Sequence, residues 1–135
     1  MVLIDSSVWI NFFNGSETES VQTLEDLIAA EEDVCISGYI LTEVLQGFRD
    51  DRSFETVRRQ LLKLTIFDLN VPDSYIKAAQ LYRKCRKQGI TIRRTADCII
   101  AQSAIENKLF LLHDDADFDK IAGVCSLKIY SKKQS

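Results

Sequence analysis

Acidic side chains stand at the ends of short apolar runs in this sequence. Asp5 follows Val2–Ile4 directly, and a group of aspartates follows the apolar run Leu109–Leu112. The members of that group are Asp114, Asp115, Asp117 and Asp119. Short continuous apolar runs are typical of strands buried in parallel sheets, and open parallel sheets bind ligands at the carboxyl ends of their strands. We therefore expect these acids to form a pocket at one edge of a sheet.

Two further acids occur in predicted helices. Asp97 falls in the first turn of a helix whose apolar residues recur at helical spacing. Glu43 lies among apolar residues of a helix predicted over Gly38–Gly47, which continues a short strand predicted at Val34–Ser37. Either Glu43 points into the same pocket as Asp5, or it occupies the exposed strip of an otherwise buried helix. The sequence leaves both interpretations open.

Four carboxylates at one sheet edge favour metal-dependent chemistry. At about 5 Å separation and an effective dielectric near 20, a pair of carboxylates repels by roughly 3 kcal/mol. A bound cation relieves this repulsion, and ligands made only of oxygen favour Mg²⁺ or Mn²⁺. The natural reaction with such ions is phosphodiester hydrolysis, in which one ion lowers the pKa of a bound water and a second steadies the leaving oxygen.

Other catalytic chemistry has little support. The only imidazole belongs to His113, which we expect to pack beside the acidic loop rather than to act as a general base. Ser6, Ser7 and Thr95 have no histidine partner, so a serine nucleophile is disfavoured, and we expect these hydroxyls to orient water or phosphate. The four cysteines are widely spaced and form no Cys-x-x-Cys pair, which argues against a zinc site.

The pattern of elements predicts a single three-layer α/β domain with a central, mostly parallel sheet of about five short strands. The predicted strands are Val2–Ile4, Val34–Ser37, Thr65–Asp68, Leu109–Leu112 and Leu127–Tyr130. The remaining predicted helices are one from Val8 capped by Ser6 or Ser7, Glu17–Glu32, Ser53–Leu64, and Asp73 to about Gln88. The domain is expected to span residues 1–130, with helices on both faces of the sheet, and a polar tail to span residues 131–135.

The composition of the 135 residues restricts the function classes. The longest apolar runs are only a few residues, so neither a transmembrane helix nor a signal peptide fits, and we expect a cytosolic protein. A net charge of -3 argues against coating nucleic acid through bulk positive charge. A local basic rim around the acids remains compatible with that charge. The candidates for this rim are Arg49, Arg52, Arg83, Lys84, Arg86, Lys87, Arg93 and Arg94.

Four segments of the chain carry a family resemblance. They are Ile4-Asp5-Ser6-Ser7, then Leu41-Thr42-Glu43-Val44-Leu45-Gln46-Gly47, then Arg94-Thr95-Ala96-Asp97-Cys98-Ile99-Ile100-Ala101, and Leu111-Leu112-His113-Asp114-Asp115-Ala116-Asp117-Phe118. This spaced set resembles the PIN-domain family and, within it, the VapC-type toxins of toxin–antitoxin pairs. The resemblance spans nearly the whole chain.

The resemblance implies a PIN-like fold and a Mg²⁺- or Mn²⁺-dependent endoribonuclease that inhibits translation. It also implies a VapB-like antitoxin as partner, RNA as substrate and a homodimer. The catalytic acids would be Asp5, Glu43, Asp97 and Asp115. The metal ligands would be Asp5, Asp97, Asp115 and Asp117. Substrate contacts are expected from Ser6, Thr95, Arg86, Arg93 and Arg94.

The fourth acid depends on the conformation of the acidic segment, which reads His-Asp-Asp-Ala-Asp-Phe where family members often show Thr-Asn-Asp-x-Asp-Phe. In an extended segment, His113, Asp115 and Asp117 face one side and Asp114 the other. If a helix begins by Asp115, that residue and Asp119 share a face and Asp117 is displaced. Asp115 serves the pocket in both geometries, so we assign it the fourth position, with Asp117 as auxiliary ligand and Asp114 dispensable.

Two alternatives stay open. A receiver-like domain is also a small parallel α/β fold with an acidic Mg²⁺ pocket, although this chain lacks the acidic pair after the first strand and the late lysine that such a domain needs. A PIN-like domain that only binds RNA or protein is the second alternative, and it would be expected to lack one or more of the acids. A nucleotide-binding Rossmann domain is disfavoured because no glycine-rich loop follows Ile4.

Overall fold

A computed structural model describes residues 1–131 of the chain, which contain seven helices and five strands. The strands are β1 (Val2–Ile4), β2 (Val34–Ser37), β3 (Thr65–Phe67), β4 (Phe110–Leu112) and β5 (Lys128–Ile129). The helices are α1 (Ser6–Phe13), α2 (Glu19–Ala29), α3 (Gly38–Leu45), α4 (Asp51–Leu61), α5 (Asp73–Lys87), α6 (Thr95–Glu106) and α7 (Ala116–Ala122). Residues 132–135 of the predicted polar tail lie outside the described part.

The five strands form one parallel sheet in the order β3-β2-β1-β4-β5. β1 is central, and Leu3 pairs with Cys35 of β2 on one side and Leu111 of β4 on the other. The chain moves outward from β1 to β3 and then crosses back to β4, so the order reverses between β1 and β4. Ligands of open α/β sheets bind in the crevice at such a switch point. Asp5 follows β1 and the acidic segment follows β4, so both lie at this crevice.

The helices cover both faces of the sheet, which confirms the predicted three-layer α/β class. Crossovers between parallel strands are right-handed, so the outward connections place α1–α4 on one face and the return connections place α5–α7 on the other. Helix contacts agree with this division, since α1 packs on α2 and α3, whereas α6 packs on α5 and α7. Leu3, Ile4, Ile36 and Leu111 are fully buried in the sheet, as expected for strands covered on both faces.

The structure differs from the prediction at the start of α1. α1 begins at Ser6 with Asp5 as its N-cap, and not at Val8 with a serine cap. The reason is that the Asp5 carboxylate already accepts the backbone N–H of Ser7, and aspartate caps as well as serine does. For the acidic segment, where extended and helical geometries were both open, the structure shows a helix, with Asp115 as the N-cap of α7.

Another difference concerns α4, which spans Asp51–Leu61 rather than the predicted Ser53–Leu64. The helical pattern of Ser53–Leu64 places Leu62 toward the core, but Leu62 is 46% exposed because it falls after the last helical turn. Among the described residues, no helix has both the length and the apolar composition needed to cross a lipid bilayer.

Candidate active site

Three carboxylates meet at the switch point. Asp97, Asp115 and Asp117 each present one carboxylate oxygen, and these oxygens all lie within 4.8 Å of one another. Asp97 comes from the first turn of α6, and the other two come from the start of α7. Asp97 and Asp117 are buried, so the group opens to solvent on the side of Asp115.

The cap of α7 explains how two neighbouring acids reach one point. The Asp115 side chain accepts the backbone N–H of Asp117 at 3.0 Å, which folds the segment into the helix. We predicted that a helix beginning here would displace Asp117 and bring in Asp119, and this is wrong. Because Asp115 caps the helix and has an extended backbone, helical spacing does not apply to it. Asp117 therefore turns inward and Asp119 contacts His113 instead.

Asp114 lies outside the three-carboxylate group. Its carboxylate accepts the side-chain amide of Asn11 at 3.1 Å, and its backbone N–H donates to Ser7 Oγ at 3.2 Å. These contacts hold the start of the acidic segment against α1. Asp114 thus ties two segments together while its neighbours form the group.

Asp5 and Glu43 are held by serines. Asp5 is fully buried, and its Oδ2 accepts Ser7 Oγ at 2.6 Å. Glu43 Oε1 accepts Ser6 Oγ at 3.1 Å, and its side chain is only 14% exposed. Of the two interpretations of Glu43, the structure therefore shows the one in which it points toward the pocket.

The two acids at the centre of the site have raised pKa values. Burial raises the pKa of Asp97, with help from the charges of Asp115 and Asp5 and against the charge of Arg94. Burial also raises the pKa of Glu43, which the Ser6 hydrogen bond and Arg94 oppose and the charge of Asp5 reinforces. Asp5, Glu43 and Asp97 thus interact electrostatically as members of one site.

Arg94 and Arg93 lie directly on the acids rather than on a separate rim. Arg94 Nη2 is 2.7 Å from Asp97 Oδ1, and its Nη1 is 3.4 Å from Glu43 Oε2. Arg93 Nε is 3.0 Å from Asp117 Oδ2, and its Nη2 is 3.1 Å from Asp115 Oδ1. Each guanidinium therefore bridges two carboxylates of the site.

A lysine that the sequence analysis missed also contributes charge. Lys120 Nζ lies 3.6 Å from Asp117 Oδ1. Although burial alone would raise the pKa of Asp117, the hydrogen bonds and charge of Arg93 and the charge of Lys120 hold that pKa below its ordinary value. The sequence spacing of Asp117 and Lys120 indicates this contact, because residues three apart are neighbours on a helix. The spacing could be used only once the start of α7 was known.

The predicted substrate contacts separate into two places. Ser6, Arg93 and Arg94 line a groove of about 610 Å³ together with Glu43 and Asp115. Thr95 and Arg86 line a different cavity, beside α5, where the Arg86 guanidinium lies 5.8 Å from the centre of the Tyr82 ring. The structure does not bring Thr95 and Arg86 into the acidic groove.

The donor set fits a hard divalent cation. Asp97 Oδ2 and Asp5 Oδ1 are buried and have no hydrogen-bond partner among the described residues. A buried carboxylate oxygen without a donor is costly, and a cation is one partner that satisfies it. All available ligand atoms are oxygens, which favours Mg²⁺ or Mn²⁺ over zinc.

The PIN domain family matches residues 2–124 of the chain. A relative from Mycobacterium tuberculosis, "Ribonuclease VapC11", is 34% identical over 134 residues, which cover 97% of this chain and 98% of the relative. The chain belongs to the PIN domain family, among its VapC ribonucleases.

Two solved structures, among others, share the fold of this VapC-type chain. VapBC2 from Rickettsia felis, bound to a DNA fragment from its promoter, superposes with a TM-score of 0.74 at 18% identity, covering 96% of this chain and 98% of that one.

The second neighbour is a toxin–antitoxin complex from Klebsiella pneumoniae, with a TM-score of 0.71 at 21% identity and coverage of 96% of this chain and 100% of that one. The predicted family resemblance is thereby confirmed. The receiver-like alternative is not favoured, because receiver domains have the strand order 2-1-3-4-5 and this sheet has the order 3-2-1-4-5.

Proposed function

We propose that this VapC-type ribonuclease hydrolyses RNA phosphodiester bonds with the help of Mg²⁺ or Mn²⁺ held by Asp97, Asp115 and Asp117, with Asp5 beside them. The observation that carries the proposal is the group of three carboxylate oxygens within 4.8 Å, beside the partnerless buried oxygens of Asp97 and Asp5. When bound, such an ion lowers the pKa of water and stabilises charge on phosphate oxygens.

The chain's own residues divide the remaining work. Glu43 is positioned by the Ser6 hydroxyl, and burial raises its pKa, so it suits proton transfer to or from water at the scissile phosphate. Ser7 fixes Asp5 by donating to Oδ2, and the buried Oδ1, which has no hydrogen-bond partner among the described residues, would face the cation. Asp5, Glu43, Asp97 and Asp115 are in this proposal the catalytic acids.

Arg93 and Arg94 supply the substrate contacts closest to the chemistry. Both guanidinium groups are partly exposed in the groove, and guanidinium groups bind phosphate as readily as carboxylate. We therefore expect them to contact the phosphates on either side of the scissile bond. Ser6 would act at the same phosphate, whereas Thr95 and Arg86 would contact RNA farther along the strand.

A VapB-like antitoxin is the proposed protein partner, and the chain would act as a translation-inhibiting toxin. This proposal is supported by the similarity to VapBC2 and to the toxin–antitoxin complex named above. An arginine of the antitoxin would compete for the same carboxylates. A homodimer and a cytoplasmic location, where RNA substrates are available, belong to the same proposal.

Cleavage of purified RNA tests the function. The untagged protein is incubated with total cellular RNA and with isolated tRNA and rRNA, in Mg²⁺, in Mn²⁺ and in EDTA. Discrete fragments that form only with a divalent ion are expected. Cleavage that persists in EDTA would contradict the metal mechanism.

The matched control is Asp97→Asn, prepared identically. It preserves shape and removes one charge from the group, so a contaminating nuclease would survive in this preparation while the proposed activity would not. Equal cleavage by the two preparations would assign the activity to a contaminant.

A further inference from the structure

His113, at the junction of β4 and α7, makes one hydrogen bond with each of its two ring nitrogens. Its Nδ1 accepts the backbone N–H of Asp115 at 3.1 Å, and its Nε2 lies 3.1 Å from Asp119 Oδ1. The side chain is 8% exposed, and its ring centre is 5.2 Å from that of the fully buried Phe118. The imidazole is therefore held by packing as well as by polar contacts.

The partners determine which ring nitrogen carries the proton. A backbone N–H can only donate, so Nδ1 must be the unprotonated acceptor. Nε2 then carries the hydrogen and donates it to the Asp119 carboxylate. Asp119 thus sets the tautomer that the Asp115 amide requires, as the second partner of a histidine commonly does.

This arrangement continues into the acid group. The Asp115 backbone is extended, with φ -136° and ψ 120°, and its carboxylate accepts the Asp117 N–H. The imidazole fixes the Asp115 backbone from one side, and the α7 cap fixes its carboxylate from the other. Asp119, His113, Asp115 and Asp117 form one hydrogen-bonded series that ends at the acids.

We propose that His113, oriented by Asp119, is a positioning residue that holds Asp115 in the geometry needed for cation binding. This inference rests on the proposed function, because it assigns Asp115 to the cation site. It gives the exposed Asp119 a role outside the group and the only histidine a role other than general base. Outer partners of metal ligands typically change metal affinity 10- to 100-fold when they are removed.

Mn²⁺ affinity of matched variants, measured by calorimetry, tests the proposal. His113→Asn places an amide oxygen near the position of Nδ1 and retains the acceptor for Asp115, whereas His113→Phe retains packing without an acceptor. We expect His113→Phe to weaken Mn²⁺ binding by roughly 10-fold or more and His113→Asn to stay within about threefold of wild type. Equal affinity in wild type and His113→Phe, or equal losses in both variants, would overturn the proposal.

Asp119 provides a second pair that does not alter the packed ring. Asp119→Asn retains an oxygen acceptor for Nε2–H, and Asp119→Ala removes it. We expect only Asp119→Ala to weaken Mn²⁺ binding. No difference between these two variants would contradict the role of Asp119 even if His113→Phe failed to fold.

Nuclear magnetic resonance gives a readout independent of metal and activity. Because the chain has one histidine, long-range ¹H–¹⁵N spectra of the untagged protein report a single imidazole. Nδ1 is expected to be unprotonated and Nε2 protonated in wild type, and the opposite tautomer would overturn the inference. If wild type shows the expected tautomer but binds no Mn²⁺, the proposed function fails instead.

Discussion

Two kinds of partner hold the acids of this site. Asp5 is held by neutral donors, the backbone N–H and hydroxyl of Ser7, and Glu43 takes its shortest contact from Ser6. Asp97, Asp115 and Asp117 instead face guanidinium groups. A hydroxyl fixes a carboxylate without cancelling its charge, whereas a guanidinium does both. Asp5 is thus fixed without a cationic partner, Glu43 is fixed by Ser6 with a longer contact to Arg94, and the arginine-paired acids are fixed and partly neutralised.

The difference extends to mobility. The serines belong to the first turn of α1, where Ser6 is buried and Ser7 is partly buried. The side chain of Arg94 is 47% exposed and that of Arg93 is 70% exposed, so both can leave the acids without disturbing the core. A cation or a phosphate can therefore exchange for an arginine contact more easily than for a serine contact. The arginine-paired acids are the part of the site whose charge responds to ligands.

The largest effect is expected from Asp97→Asn, which removes the most buried arginine-paired acid. Loss of a ligand worth several kcal/mol corresponds to a roughly thousandfold or larger fall in cleavage rate, with Mn²⁺ binding lost in calorimetry. The metal-free variant should unfold at the same or a higher urea concentration, because burial already disfavours the charged form of Asp97. Asp114→Asn, outside the group, is the matched control and should stay near wild type.

An intermediate effect is expected from Arg94→Gln, with Arg93→Gln as its comparison. Arg94 is paired with the fully buried Asp97, and its half-exposed side chain limits the loss of stability to about 1 kcal/mol at neutral pH. Mn²⁺ should bind more tightly to both variants, because a competing cation is gone. Weaker Mn²⁺ binding in both would show that the arginines support the cation site rather than compete with it.

The smallest effect is a pH dependence of the metal-free protein. The folded-state pKa values of Glu43 and Asp97 are raised above their ordinary values of 4.5 and 3.8. Between the ordinary and raised values the folded state binds more protons than the unfolded state, so stability increases as pH falls through this window. Urea unfolding in EDTA from neutral to mildly acidic pH measures it. Glu43→Gln and Asp97→Asn should each flatten the rise, and an unchanged slope in both would contradict it.

The sequence was sufficient for the sheet and for the location of the acids. Apolar runs such as Val2–Ile4 can only be buried between two layers, and an acid directly after such a strand is placed by the strand itself. The positions of Asp5 and Asp97 could therefore be predicted from the type of each element and the parallel arrangement of the strands. The orientation of Glu43 could not be predicted in this way, because a helix position among apolar residues is compatible with a side chain in the pocket or on the surface.

The sequence was insufficient where several local signals overlap. Asp114 and Asp115 can each cap a helix, so the start of α7 and the inward turn of Asp117 depend on how the segment meets α1. The pairing of Arg93 with Asp115 and Asp117 depends on how the start of α6 lies against α7, and the pairing of Arg94 with Glu43 depends on how it lies against α3, both of which tertiary packing sets. From the sequence, a basic residue near a predicted pocket indicates a surrounding rim, whereas the partners of Arg93 and Arg94 are the carboxylates of the pocket itself.

The strand order has a consequence for biosynthesis. The central strand β1 can pair with β2 early in synthesis, but it can pair with β4 only after the elements from α1 to α6 have been made. Asp115 and Asp117 follow β4 in the chain. The group of three carboxylates can therefore close only after β4 has joined β1, because Asp97 precedes β4 in the chain and its two partners follow it.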